Sequence, residues 1–145
     1  MRLILILSTV PHYLSLYFFK SEFMIMNNYM LYKLYFNIAF ISSTLSIIWH
    51  LHSEPPIGIV MTLDYIFAYL WSTIEILISA IYFDFIILET VILMNIIVCI
   101  SYIIHSHSSC SIHYMYSHSI WHVISFIKCI YVSYLLNQYS SSHIL

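Results

Sequence analysis

Charged side chains are scarce in this sequence. Only 7% of its 145 residues are Asp, Glu, Lys or Arg, whereas soluble domains carry about 25%. Hydrophobic residues make up 62% of the chain, which is too many for an ordinary water-soluble fold. The composition therefore predicts a polytopic integral membrane protein, with helices as its spanning elements.

Basic residues and cysteines are also few. Four Lys and Arg stand against six Asp and Glu, for a net charge of −2, and this balance gives no indication of nucleic-acid binding. The three cysteines, Cys99, Cys110 and Cys129, are odd in number and widely spread. They do not form the pattern of a disulfide framework.

Apolar stretches fill most of the chain and predict an all-α bundle of about five spans in a single transmembrane domain, residues 1–145. The expected spans are residues 3–19, 29–50, 58–82, 84–105 and 112–136. At about 1.5 Å per residue the first is barely long enough to cross a bilayer. No small-residue cleavage site follows it, so we interpret it as a retained span.

Local signals refine these boundaries. Pro11 should kink the first span, and the two prolines of residues 52–56 end the second. Asp84 is the predicted N-cap of the fourth. The last nine residues, 137–145, are predicted to be a short exposed tail.

Two histidines at the start of the last span carry the clearest chemical pattern. His118 and His122 are four residues apart, so on a helix their imidazoles point the same way. Two such imidazoles can ligate one Zn²⁺, which needs a third protein ligand and leaves a fourth position for water. With nine histidines in the chain, chance gives about half such a pair, so the spacing needs support from elsewhere.

That support comes from the order of the spans. His50 ends span two and Asp64 lies near the start of span three, while the His118/His122 pair opens span five. The end of an even span and the starts of odd spans lie at one membrane face, so these groups are expected at a shared depth. Ionisable groups at such positions usually mark function.

Helical phase places further polar groups. Ser46 lies four residues before His50, hence on the same face. Asp64 and Glu75 are eleven residues apart, or about 1100° of helical rotation, and should both face the bundle interior. Lys128 is about 240° round from His122; we expect it to point elsewhere, where it would snorkel or pair with Glu89.

Ordinary explanations exist for each group. The paired histidines are also typical of hydrogen-bonded bundle residues, and His50 of a residue that caps a helix end. Asp64 is compatible with a simple partner of a helix dipole, and Ser46 with a bond to its own backbone. A competing metal set lies in the fourth loop, where the spacing is equally compatible with an incidental serine-rich loop: His105, His107, Cys110 and His113.

These residues resemble the CREST superfamily of membrane hydrolases and receptors. That superfamily carries Ser-x3-His late in its second helix, an Asp near its third, and His-x3-His at the start of its last. Here the matching segments are Ser46-Ile-Ile-Trp-His50, Asp64 and His118-Ser-Ile-Trp-His122. The superfamily includes alkaline ceramidases, GPI-remodelling lipases, progestin and adipoQ receptors with hemolysin III, and the myomaker family, which the last motif favours.

The resemblance implies a shortened version of a seven-helix fold and a zinc-dependent lipid hydrolase. His50, His118 and His122 would hold Zn²⁺, with Asp64 and Ser46 as catalytic groups and membrane lipids as partners. Losing one helical pair before the last span keeps the parity but thins the bundle wall, which is compatible with a homo-oligomer. The alternatives are a non-catalytic relative with a structural zinc or none, a metal carrier that uses the histidine-rich loop, and an inert membrane bundle.

Overall fold

The structure is a computed structural model that describes residues 2–13, 29–51, 58–106 and 111–142. Within these ranges it is helical, with no strand. The five helices are α1 (Arg2–Thr9), α2 (Tyr29–Leu51), α3 (Gly58–Tyr82), α4 (Phe85–Ser106) and α5 (Ser111–Ser142). The all-α class predicted from the sequence is confirmed.

Four of the described helices contain segments long and apolar enough to cross a membrane. They are Lys33–Leu51, Gly58–Tyr82, Phe85–Ile104 and Ile112–Leu136. Their limits lie within a few residues of the predicted second to fifth spans, and they make the chain a multi-pass integral membrane protein. Of the predicted first span, only residues 3–13 are described, as a shorter apolar helix.

Pro11 interrupts that first span as expected. Helix α1 ends at Thr9 and Val10 forms a turn. Because proline has no N–H, the ladder breaks here, and the N–H of Tyr13 bonds the carbonyl of Val10 at 3.0 Å instead of that of Thr9. The Thr9 carbonyl instead accepts a hydrogen bond from a ring nitrogen of His12.

Asp84 is the N-cap of α4, as predicted. Its Oδ1 accepts a hydrogen bond of 2.9 Å from the N–H of Ile87, one of the amides that a helix start leaves without a backbone partner. The predicted tail was wrong in part, because α5 continues to Ser142. Gln138 supports the extension by bonding the Tyr134 hydroxyl one turn earlier, at 2.9 Å.

The described helices pack in a ring around a shared interior. Each long helix packs against its neighbour in sequence, and α1 packs against both α2 and α5. One half of the interior is an apolar cluster centred on Trp71, Ile78, Val91, Val132 and Leu136. The other half lies where α2 and α4 end and α3 and α5 begin, and it is here that the histidines meet.

Candidate metal centre

Three histidines converge in the polar half of the bundle. The Nε2 atom of His50 lies 3.1 Å from Nε2 of His118 and 3.2 Å from Nε2 of His122. One ligand atom from each ring lies within 4.8 Å of those of the other two. All three are buried, at 5%, 0% and 4% exposure, so none of the rings faces lipid.

Sequence order explains the meeting. His118 and His122 lie one turn apart on α5, which brings their ring centroids to 4.7 Å. His50 is the penultimate residue of α2, which reaches this face as α5 leaves it. The depth that the span parity predicted for these three residues is confirmed.

The nitrogen geometry suits a metal better than it suits hydrogen bonding. A ring nitrogen carries either a hydrogen or a lone pair. Nε2 of His50 therefore cannot donate one hydrogen to both partners, nor accept two full-strength bonds with one lone pair. Zn–N bonds of about 2.0–2.1 Å in tetrahedral geometry place two nitrogen ligands about 3.4 Å apart. The 3.1 and 3.2 Å separations need only a small expansion to fit that value.

Aromatic side chains hold the imidazoles in place. Tyr114 stacks on His118 with centroids 5.3 Å apart, and Trp49 and Trp121 meet the same ring edge-on at 5.7 and 5.1 Å. Edge-to-face and stacked pairs at these distances are attractive. They restrict the rotation of His118, which reduces the reorganisation that ligand binding would require.

The N-terminal segment, residues 2–13, contributes two groups that the sequence analysis did not single out. Thr9 Oγ1 lies 3.4 Å from Nε2 of His122, and His12 packs edge-on against the same ring, with centroids 5.7 Å apart. Because a carbonyl can only accept, Nδ1 of His12 donates the 3.0 Å bond to Thr9. The available signal was the i, i+4, i+7 spacing of Leu5, Thr9 and His12, which are buried, whereas residues 3, 4, 6–8, 10, 11 and 13 are half-buried or exposed.

A cavity of about 60 Å³ adjoins the histidines. Asp64, Ser46 and His122 all contribute to its wall, together with Thr9 and His12. A volume of about 10–15 Å³ suffices for one water, so several fit. The predicted Asp64 and Ser46 therefore share a chamber with one of the three imidazoles.

Two oxygens on this wall lack a protein partner. Asp64 is 1% exposed and Ser46 4%, and neither Oδ2 of Asp64 nor Oγ of Ser46 has a hydrogen-bond partner among the described residues. Buried polar groups are seldom left unpaired. These atoms are thus placed to bind water or a polar ligand in the cavity.

Lys128 lies at the inner end of the same cavity, and the prediction that it snorkels or pairs with Glu89 was wrong. Its Nζ lies 2.7 Å from Oε2 of Glu75 and donates to Asn95 Oδ1 at 2.8 Å and Ser72 Oγ at 3.0 Å. Glu89 is exposed. Glu75 is the better partner because its face of α3 already points inward, as predicted from its phase with Asp64.

The competing metal set in the loop stays a prediction. His107 and Cys110 lie outside the described residues, as does the side chain of His105. His113 is described and is exposed.

No protein-family model matches the chain, and no curated protein or solved structure is significantly similar to it.

Proposed function

We propose that this membrane protein is a zinc-dependent hydrolase of an amide or ester bond in a membrane lipid. We further propose that it is a shortened member of the CREST superfamily. The observation that carries the proposal is the convergence of three buried imidazoles, those of His50, His118 and His122, each with one ring nitrogen within 4.8 Å of those of the other two. Those three residues would hold the metal and leave a fourth position for water.

Bound Zn²⁺ supplies Lewis acidity, which polarises a carbonyl and brings the pKa of a water to about 7. The reaction is a hydrolysis: a water oxygen bonds to the carbonyl carbon, and the bond to the amine nitrogen or alcohol oxygen breaks. The products are a carboxylic acid and an amine or alcohol, so no oxidant or further reactant is needed.

Asp64 and Ser46 would supply the proton transfer and the oxyanion contact of this reaction. The carboxylate of Asp64 takes the proton from the attacking water and returns it to the leaving group, as a general base and then a general acid. The Ser46 hydroxyl donates to the oxygen on which negative charge develops. Both residues line the cavity, and neither Oδ2 of Asp64 nor Oγ of Ser46 has a hydrogen-bond partner among the described residues, which supports these roles over a purely structural one.

Metal content tests the centre directly. Purified protein should contain about one zinc per chain, and His50→Ala, His118→Ala and His122→Ala should each lose it. His113→Ala tests the competing loop set on the same helix as two of the ligands, and it should keep its zinc if the three buried histidines are the site. Full zinc occupancy in all three ligand variants would show that these histidines are not the zinc ligands.

A non-catalytic protein with a structural zinc is the second candidate. The complete burial of His118 and its contacts with three aromatic rings favour it. Asp64→Asn separates the two candidates, since it keeps the shape and removes the base. Loss of lipid hydrolysis with zinc retained supports the enzyme. A wild-type rate in Asp64→Asn would remove Asp64 from the mechanism.

A further inference from the structure

The cavity beside His122 has exposed lining residues at one side only, among the residues that the structure describes. Most lining residues are buried or half-buried, and the two exposed ones are Tyr69 and Cys99. Tyr69 lies on α3 and Cys99 on α4. The exposed part of the cavity wall is therefore the seam between these two helices.

Helix packing points to the same seam. Helices α3 and α4 contact each other less extensively than α2 contacts α3 or α4 contacts α5. Their short connection, Phe83 and Asp84, lies at the opposite membrane face. The chain thus joins α3 and α4 at one membrane face, and the cavity borders the seam nearer the other face.

The outer surface of the seam is apolar. Ile66 and Leu70 flank Tyr69 on α3 and are 46% and 43% exposed, and Ile103, one turn beyond Cys99 on α4, is 54% exposed. Such a surface suits a hydrocarbon chain but offers nothing to a charged headgroup.

Size limits what enters. A cavity of about 60 Å³ holds several waters or a small polar group, whereas pockets that enclose drug-sized ligands are several times larger, at about 300–1,000 Å³. An acyl chain does not fit inside, so it has to remain in the bilayer.

We propose that the α3–α4 seam is a lateral portal, with Tyr69 and Cys99 as its rim. A single-chain acyl amide or ester with a small polar group inserts its reacting bond between them, while its tail lies outside against Ile66 and Ile103. This inference rests on the proposed hydrolase function and adds the route and the class of substrate.

Photo-crosslinking in phosphatidylcholine vesicles tests the portal. The probe is an acyl amide of a small amine with a diazirine in the first carbons of its chain. Irradiation should attach it to buried cavity-lining side chains, such as those of Ser42 and Ser43, and unlabelled acyl amide should compete. Mass spectrometry locates the adducts.

Cys99→Trp fills the rim and should abolish these interior adducts. Ile97→Trp is the matched control: it is two residues away, about 200° round the helix, 43% exposed, and should label as the wild type does. Adducts confined to lipid-facing side chains, or interior adducts that survive Cys99→Trp, would overturn the portal.

The portal and the hydrolase fail in different ways. If interior labelling depends on Cys99 but the protein shows no zinc-dependent hydrolysis, the portal is supported and the hydrolase function is contradicted. If Cys99→Trp retains zinc-dependent hydrolysis at the wild-type rate, the hydrolase function is supported and the portal is contradicted.

Discussion

Replacing Lys128 by Met should destabilise the bundle strongly. Lys128 is 2% exposed and its partner Glu75 is fully buried. The substitution would leave that carboxylate without a cation, with the Tyr35 hydroxyl, which donates to Oε1 at 3.1 Å, and the Cys129 thiol as neutral partners. It would also remove the donor to Asn95 Oδ1.

The separation of the charges sets the scale. At 2.7 Å and an effective dielectric constant of about 20, the Coulomb attraction is about 6 kcal/mol. Desolvation offsets part of this, and breaking a buried pair from one side typically costs about 3–5 kcal/mol. We expect that loss in the free energy of unfolding of Lys128→Met.

Adding Glu75→Gln should recover at least about 2 kcal/mol, because the amide is neutral and still accepts from Tyr35. Glu89→Gln is the control for removal of an exposed carboxylate. Reversible unfolding in mixed micelles, followed by tryptophan fluorescence, measures all three. A loss below about 1 kcal/mol in Lys128→Met, the range of exposed pairs, would refute the view that this ion pair helps hold the interior together.

Three further outcomes follow from single contacts. Asp84→Ala should lower the free energy of unfolding by about 1 kcal/mol, while Asp84→Asn keeps the cap and most of the stability. Thr9→Val removes a hydroxyl beside Nε2 of His122, the nitrogen that would bind zinc. Because that hydroxyl already donates to the Leu5 carbonyl and a zinc-bound nitrogen has no lone pair to offer it, zinc affinity, measured by competition with a chelator, should not fall; a loss of about tenfold would mean that Thr9 positions the ligand. Cys129, which is fully buried, should react with a maleimide only when the protein is denatured, and rapid reaction in the native state would contradict the packing of α5.

The sequence predicted the histidine centre because parity and phase are rigid constraints. Once the spans are set, the end of α2 and the start of α5 must share a membrane face, and His118 and His122 must share a helix face. Those two facts restrict His50 to the same neighbourhood without any knowledge of packing.

Packing decided what sequence could not. Helical phase gives the direction of Lys128 relative to His122, but it does not say which helix lies opposite. The ion-pair partner depends on helix packing, and the inward face of α3 carries Glu75, which pairs with Lys128 in place of Glu89. The contribution of Thr9 depends on how α1 docks between α2 and α5. The extension of α5 to Ser142 was missed because a polar composition resembles a tail whether or not it is helical.

The buried ion pair has a consequence for how the chain enters its membrane. A lone charge at the centre of a span raises the free energy of insertion by about 2.5–3.5 kcal/mol, and Glu75 is synthesised 53 residues before Lys128. At about 5–20 residues per second, the ribosome takes about 3–10 s to make that interval. Helix α3 should therefore remain beside the insertion machinery and move into lipid only after α5 has been synthesised and Lys128 can pair with Glu75.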